Sequence, residues 1–293
     1  MLRSAQFSAI GTSWKLSAGT ELSTHAWDAL LKSVYERIEQ FDQSYSRFRS
    51  DSLVSKIARD AGTYTLPADG YRLLTFYESL YRVTDGLVTP LIGQALSDAG
   101  YDASYSLKAG SPTTPPSWED VISYTQNSIT VSQPALLDFG AAGKGYLVDI
   151  IAAMLEAEGV HEYTLDASGD IRHRSESHAT LEIGLENPYD TTEAIGVANI
   201  GNQSLCASAG NKRTWGGYTH ILHPRTLQSP TDISASWVVA ADTMTADGVA
   251  TALFFVDAEQ LTSSFDFEYA LLGNDMELTY SRGFPVAVFE AQR

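Results

Sequence analysis

Leu136-Leu-Asp-Phe-Gly-Ala-Ala-Gly-Lys-Gly-Tyr-Leu-Val-Asp149 runs from an apolar, strand-like segment through a turn of small residues into an amphipathic helix. Glycine and alanine at a strand-to-helix turn let a ligand come close to the backbone. The start of the following helix offers N–H groups and a favourable field for an anion. The stretch therefore predicts a site for a phosphorylated ligand. It is not a P-loop, because Gly143-Lys144 is followed by Gly145 and Asp138 stands where the first glycine of that motif belongs.

Outward from this turn the periodicity is mixed. Trp27, Leu30, Leu31, Val34, Ile38 and Phe41 share one helical face, with Thr24 as the expected N-cap of a helix over about 25–40. Ser50-Asp51-Ser52 opens a short second helix, and 71–83 repeats the helical pattern up to Asp85-Gly86. Helices are also expected over 144–158 and 246–256. Strands are expected over 7–16 (interrupted at Gly11), 128–131, 135–139, 162–165, 181–185, 194–200, 235–240 and 286–289. The 128–131 and 135–139 pair reads as a hairpin. Segment 100–118, polar and holding Pro112, Pro115 and Pro116, reads as a surface loop. Strands and helices do not alternate regularly, which predicts an α+β fold rather than a doubly wound sheet. The length permits one large domain or two smaller ones, and the expected organisation is a single domain over 1–293.

The 293 residues carry 19 Lys and Arg against 36 Asp and Glu, a formal charge of −17. Such a chain is a poor partner for nucleic acid or anionic lipid, both of which recruit cations. Cys206 is the single cysteine, so no intrachain disulfide is possible. The sequence as given shows no signal peptide and no apolar run of membrane-spanning length, which predicts a protein without membrane insertion, cytoplasmic or, if a leader has been removed, periplasmic.

Four further constellations carry candidate chemistry. Asp247 and Thr251 lie four apart on an expected helix and share a face. A carboxylate and a hydroxyl suit Mg²⁺, which takes few protein ligands; alternatively Asp247 caps the helix and Thr251 bonds back to a carbonyl. His220 and His223 precede a proline turn, as a zinc pair or as backbone-bonded loop histidines. Asp170, in Ala167-Ser-Gly-Asp-Ile-Arg172, either reaches a ligand or closes an Asx-turn. Ala207-Ser-Ala-Gly-Asn-Lys-Arg213 is usable for phosphate or is a solvated loop.

Taken in order, these segments resemble the ApbE family, flavin transferases that attach FMN to proteins with FAD as donor. The resemblance rests on Ile10-Gly11-Thr12, Ser46-Arg47-Phe48, Gly86 to Pro90, Asp138 to Tyr146, Ser168 to Ile171, Ser208 to Arg213, Thr219 to Leu227 and Ala246 to Ala252. Any one motif is loose; their ordered occurrence is specific. It implies the family's fold, mainly antiparallel sheets packed with helices as paired T-fold-like units around a central cleft. It also implies Mg²⁺ ligands at Asp247, Thr251 and the Ala141 carbonyl. FAD contacts are implied at Ile10, Phe48, Leu87, Val88, Thr89, Asp138, Lys144, Asp170, Arg213, His220 and Ile221, with Phe48 stacked on the isoalloxazine. Asp247, His220 and Lys144 take the catalytic roles, and His220 or Asp247 accepts a proton.

This chain departs from the family pattern at several places. Ile10 replaces Met, Ala58 replaces Asn, Thr89 replaces Asp, Ser168 and Leu227 replace Gly, and His223 replaces Asp. The implied reaction is Mg²⁺-dependent transfer of FMN from FAD to a Thr or Ser hydroxyl of a partner flavoprotein, with release of AMP. Its alternatives are hydrolysis of FAD to FMN and AMP, and FAD binding without catalysis.

Overall fold

The structure, a computed structural model, describes residues 1–289. From the N-terminus the strands and helices are β1 (Leu2–Ala9), β2 (Thr12–Gly19), α1 (Thr24–Tyr45), α2 (Leu53–Ile57), β3 (Gly62–Thr65), α3 (Gly70–Val83), α4 (Gly93–Asp98), α5 (Trp118–Val121), β4 (Ile122–Tyr124), β5 (Ser128–Val131), α6 (Gly143–Ala157), β6 (Glu162–Asp166), β7 (Asp170–Arg174), β8 (Leu181–Asn187), β9 (Asp190–Ile200), β10 (Ser204–Ala209), β11 (Thr214–Trp215), β12 (Tyr218–Thr219), β13 (Ile233–Ala240), α7 (Thr243–Ala252), α8 (Ala258–Leu261), β14 (Phe267–Gly273), β15 (Leu278–Tyr280) and β16 (Val286–Val288). A short 3₁₀ turn covers Pro90–Ile92. The fold class is α+β, as expected.

An eight-stranded sheet in the order β1-β2-β6-β7-β10-β13-β14-β15 is the frame. Every pairing in it is antiparallel. Strand β13 shows why it is covered on both faces. Val238 and Ala240 join the cluster with α1, α3, α6 and α7, whereas Ala235, Trp237 and Val239 point to the other side. There they meet Leu185, Ala198 and Ile200 from the smaller sheet β16-β9-β8. Side chains of a strand alternate between faces, so a strand with the unbroken apolar run Trp237 to Ala240 belongs between two layers. Among the described residues no helix is long and apolar enough to cross a membrane.

Three local expectations are corrected. Residues 7–16 are not one interrupted strand but the two arms of a hairpin. Ile10 and Gly11 both have positive φ (43° and 76°), the requirement of a tight two-residue hairpin turn. Helix α1 is capped by Ser23, whose side chain accepts from the Ala26 N–H, and it runs five residues beyond the expected end at Gln40. Residues 135–139 form no strand. Their backbone crosses the 3₁₀ turn instead, with the Asp138 N–H donating to the Pro90 carbonyl at 2.7 Å. Leu136 O there lies 2.3 Å from the position a Cβ would take on Gly93.

The element that decides the site is the crossing of α6 and α7. A Cβ on Gly145 would lie 2.3 Å from Thr243 O and 2.7 Å from Asp247 Cβ, so only glycine lets α6 begin where it does. A Gly145→Ala variant should lose about 2 kcal/mol or more by overpacking. Gly201→Ala, where nothing lies within 4 Å, should stay within about 0.5 kcal/mol of the parent. Urea denaturation of the two variants side by side checks this; equal midpoints would contradict it.

Candidate functional site

A cleft of about 890 Å³ opens between the helical layer and the loops at the end of the large sheet. That is at the upper end of the range for small-molecule sites and fits an extended ligand. Ile10, Phe48, Leu87, Val88, Thr89, Asp138, Ala141, Lys144, Arg213, His220, Ile221, Asp247 and Thr251 all line it. Segments as far apart in the chain as 10 and 251 are thus brought to one surface.

The floor is set by two helices that cap each other. Asp247 of α7 accepts the Gly145 N–H at the start of α6 at 2.9 Å. Asp149 of α6 accepts the Thr243 and Met244 N–H groups at the start of α7 at 2.8 and 2.9 Å. Carboxylates at helix N-termini satisfy N–H groups that have no partner within the helix and meet a favourable dipole. Asp247 therefore does not cap its own helix; Asp242 does, through the Thr245 N–H. The Thr251 hydroxyl lies 3.5 Å from Ala141 O, and both residues line the cleft together with Asp247.

The turn itself differs from its first reading. Four of its N–H groups are already engaged within the protein. Gly140 donates to Asp138 Oδ1, Ala142 to the Tyr77 hydroxyl, Gly143 to Phe139 O and Gly145 to Asp247. They spend themselves in shaping the turn so that Ala141 presents its carbonyl. Tyr77, fully buried, is the prop beneath it and gave no motif-level signal. Asp138 is held by an ion pair with the buried Arg47, so its carboxylate orders the turn from behind. Arg47 was expected only as part of a family motif; its burial is a three-dimensional fact.

Lys144 reaches the floor from the first turn of α6. Its ammonium sits 3.0 Å from Asp170 Oδ2 and donates to Ala167 O at 3.0 Å. Burial opposes its charge, but Asp170 and Asp247 outweigh burial and raise its pKa. Asp170 was expected to reach a ligand. It is only 1% exposed and does not line the cleft, because it opens β7 behind the Ser168-Gly169 turn and serves as the counter-ion of Lys144. Burial, and then the nearby Asp170, push the Asp247 carboxyl well above the usual range, although the Lys144 charge works the other way. Two carboxylates against one ammonium leave this floor short of positive charge.

The remaining side chains form the walls. His220 Nδ1 is sealed from solvent with no hydrogen-bond partner. Burial, and then the Arg213 charge, lower the His220 pKa to about 4, so the imidazole is neutral at pH 7. His223 is a turn residue whose Nδ1 accepts the Arg225 and Thr226 N–H groups at 3.2 and 3.1 Å. The zinc pair therefore falls, and among the described residues no group of three or more His, Cys, Asp or Glu gathers to hold a metal. The Thr89 hydroxyl accepts the Leu91 N–H at 3.2 Å and starts the 3₁₀ turn. Segment 100–118 is largely an exposed loop, as expected, but its start is built into the site. Tyr101 is 6% exposed, its carbonyl accepts from Arg47 and its hydroxyl from Arg213, and both Tyr101 and Tyr105 line the cleft. Its polarity and prolines concealed two aromatic residues that pack inward.

Several known proteins are similar to this chain in sequence or in fold. The FAD:protein FMN transferase of Klebsiella pneumoniae (strain 342) is 25% identical over 254 residues, covering 80% of this chain and 77% of that protein. The protein of the same name from Haemophilus influenzae is 25% identical over 269 residues, covering 84% of this chain and 75% of the relative. The flavin transferase ApbE from Vibrio cholerae superposes with a TM-score of 0.80 at 17% identity, over 97% of this chain and 99% of that one. The ApbE protein of Thermotoga maritima gives 0.81 at 19% identity, over 96% and 97%. The sequence matches the ApbE family over residues 10–269, and the chain belongs to that family.

Proposed function

We propose that this chain transfers the FMN moiety of FAD to a threonine or serine hydroxyl of a partner flavoprotein and releases AMP, with Mg²⁺ bound at the Asp247 floor. The observation that carries the reading is the convergence of Asp247, Thr251 and the Ala141 carbonyl beside Lys144 in a cleft large enough for a dinucleotide. The relatives named FAD:protein FMN transferase supply the reaction class.

The donor set fits the ion. All three donors are oxygen, as a hard cation requires. Thr251 and the Ala141 carbonyl, 3.5 Å apart, and the Asp247 carboxylate would hold it. The floor's excess negative charge is what a divalent cation offsets. When bound, the ion would neutralise pyrophosphate charge and favour departure of AMP.

The chain's own residues have separate tasks. The Lys144 ammonium donates one proton to Ala167 O and pairs ionically with Asp170, which leaves a proton for a phosphate oxygen. Asp170 holds that ammonium charged and aimed. The acceptor hydroxyl forms a new bond to the FMN phosphorus while the bond from phosphorus to the AMP oxygen breaks. His220 takes the hydroxyl proton on the side of its ring that faces the cleft, since the imidazole is neutral at working pH. Asp247 is unsuited to that task because one of its oxygens holds the Gly145 N–H.

Asp247→Ala should lower metal-dependent flavin attachment by two orders of magnitude or more, the loss typical when one preorganised electrostatic group is removed. Transfer of flavin by this variant at the parental rate, followed by fluorescence of the denatured acceptor, would sink the proposal. A pH experiment addresses His220 separately. Its folded pKa of about 4 lies below the unfolded value near 6.5, so between the two the unfolded chain binds more protons. Stability is then lost as pH falls through that window. His220→Asn should reduce the loss between pH 7 and pH 4.5 by about 1–2 kcal/mol, allowing for partial exposure. Parallel urea titrations at the two pH values measure it, and an unchanged difference would contradict a neutral buried imidazole.

A further inference from the structure

Segment 100–117 places an aromatic ring where the family resemblance anticipates none. Tyr105 lies parallel to Phe48, with centroids 4.8 Å apart and planes inclined by 16°. Tyr101 meets both rings edge-on, at 5.3 and 5.5 Å. The Arg47 guanidinium carbon sits 4.3 Å from the centre of Phe48. Phe48 is therefore covered by an aromatic ring and approached by a cation, and it does not offer a free face. Tyr105 is different. Although it lines the cleft and rests on Phe48, it is 49% exposed, so its outward face is open.

The position of Tyr105 is built rather than incidental. Tyr101, four residues before it, anchors the segment to Arg47 and Arg213. The Asp102 carboxylate accepts the Ser104 and Ser106 N–H groups on either side of Tyr105. The Leu107 N–H closes back on Gly100 O at 2.9 Å. The Tyr105 hydroxyl lies 3.7 Å from where a Cβ would stand on Gly11, which spans the distance from the loop to the β1–β2 hairpin turn. Beneath the stacked pair lies an apolar base of Leu96, Trp215 and Leu222. A rigid, exposed aromatic face on an apolar base is a platform for a flat ring.

We propose that Tyr105, backed by Phe48, supplies the ring on which the isoalloxazine of FAD stacks. The inference rests on the reading of the cleft as an FAD site and goes beyond it by moving the stacking face from Phe48 to Tyr105, a residue outside the motifs of the resemblance. The isoalloxazine is chosen over the adenine because its large apolar plane matches a wall that is aromatic and aliphatic.

The two halves of the dinucleotide separate these choices. FMN and ADP are titrated separately, with Mg²⁺ present, into the parent, Tyr105→Ala and Tyr105→Phe, using flavin fluorescence for FMN and calorimetry for ADP. Tyr105→Ala should weaken FMN about tenfold, the usual loss for one stacked ring, and should relieve the quenching of bound FMN. ADP affinity should not change, and Tyr105→Phe should bind both ligands like the parent. Unaltered FMN affinity in Tyr105→Ala overturns the proposal, as does a loss confined to ADP, which would place the adenine on this ring. If the parent binds neither FMN nor ADP, the FAD reading itself fails, an outcome distinct from the other two. Thermal melting of each variant, expected to match the parent because the ring is half exposed, ensures that binding alone is compared.

Discussion

Everything at the site depends on one reciprocal contact. The start of α6 donates its Gly145 N–H to Asp247, and the start of α7 donates two N–H groups to Asp149. Each helix supplies the carboxylate that the other helix needs. The arrangement costs side-chain space, which is why residue 145 has none. In return it fixes Asp247 against the small-residue turn within reach of Thr251 and Ala141. A buried carboxylate that has lost its water needs compensation, and here it comes from backbone N–H groups, Lys144 and, as proposed, a divalent cation.

From that contact the remaining polar groups fall into place as supports. Asp170 stands behind Lys144, Arg47 behind Asp138, and Tyr77 beneath Ala142. None of these three supports needs to touch a ligand for the cleft to hold its shape. The groups that can meet the ligand are fewer: the oxygens of the floor, one proton of Lys144, the His220 imidazole and the aromatic wall.

Much of this was legible in the sequence where local chemistry was strong. Helices α1, α3 and α6 followed their apolar spacing, and the α+β class followed from irregular alternation. Of the expected cleft residues, all but Asp170 line the cleft. Asp170 failed because a short acid in a turn looks the same whether it faces solvent or pairs with a lysine 26 positions earlier. Residues 135–139 looked like a strand because they are apolar and extended, yet no partner strand lies beside them. Strands β7, β10 and β14 were missed because pairing across the sheet, not alternation along the chain, holds them. Tyr101 and Tyr105 were missed because prolines and polar neighbours marked their segment as surface.

The central claim is that this cleft moves FMN from FAD onto another protein. The most direct measurement is intact-mass spectrometry of a candidate flavoprotein subunit incubated with this chain, FAD and Mg²⁺, with AMP quantified in the same mixture. The account predicts a mass gain of one FMN group on the acceptor and one AMP released for each group attached, both abolished by EDTA. AMP released with no gain on any acceptor, or attachment undiminished by EDTA, would contradict it.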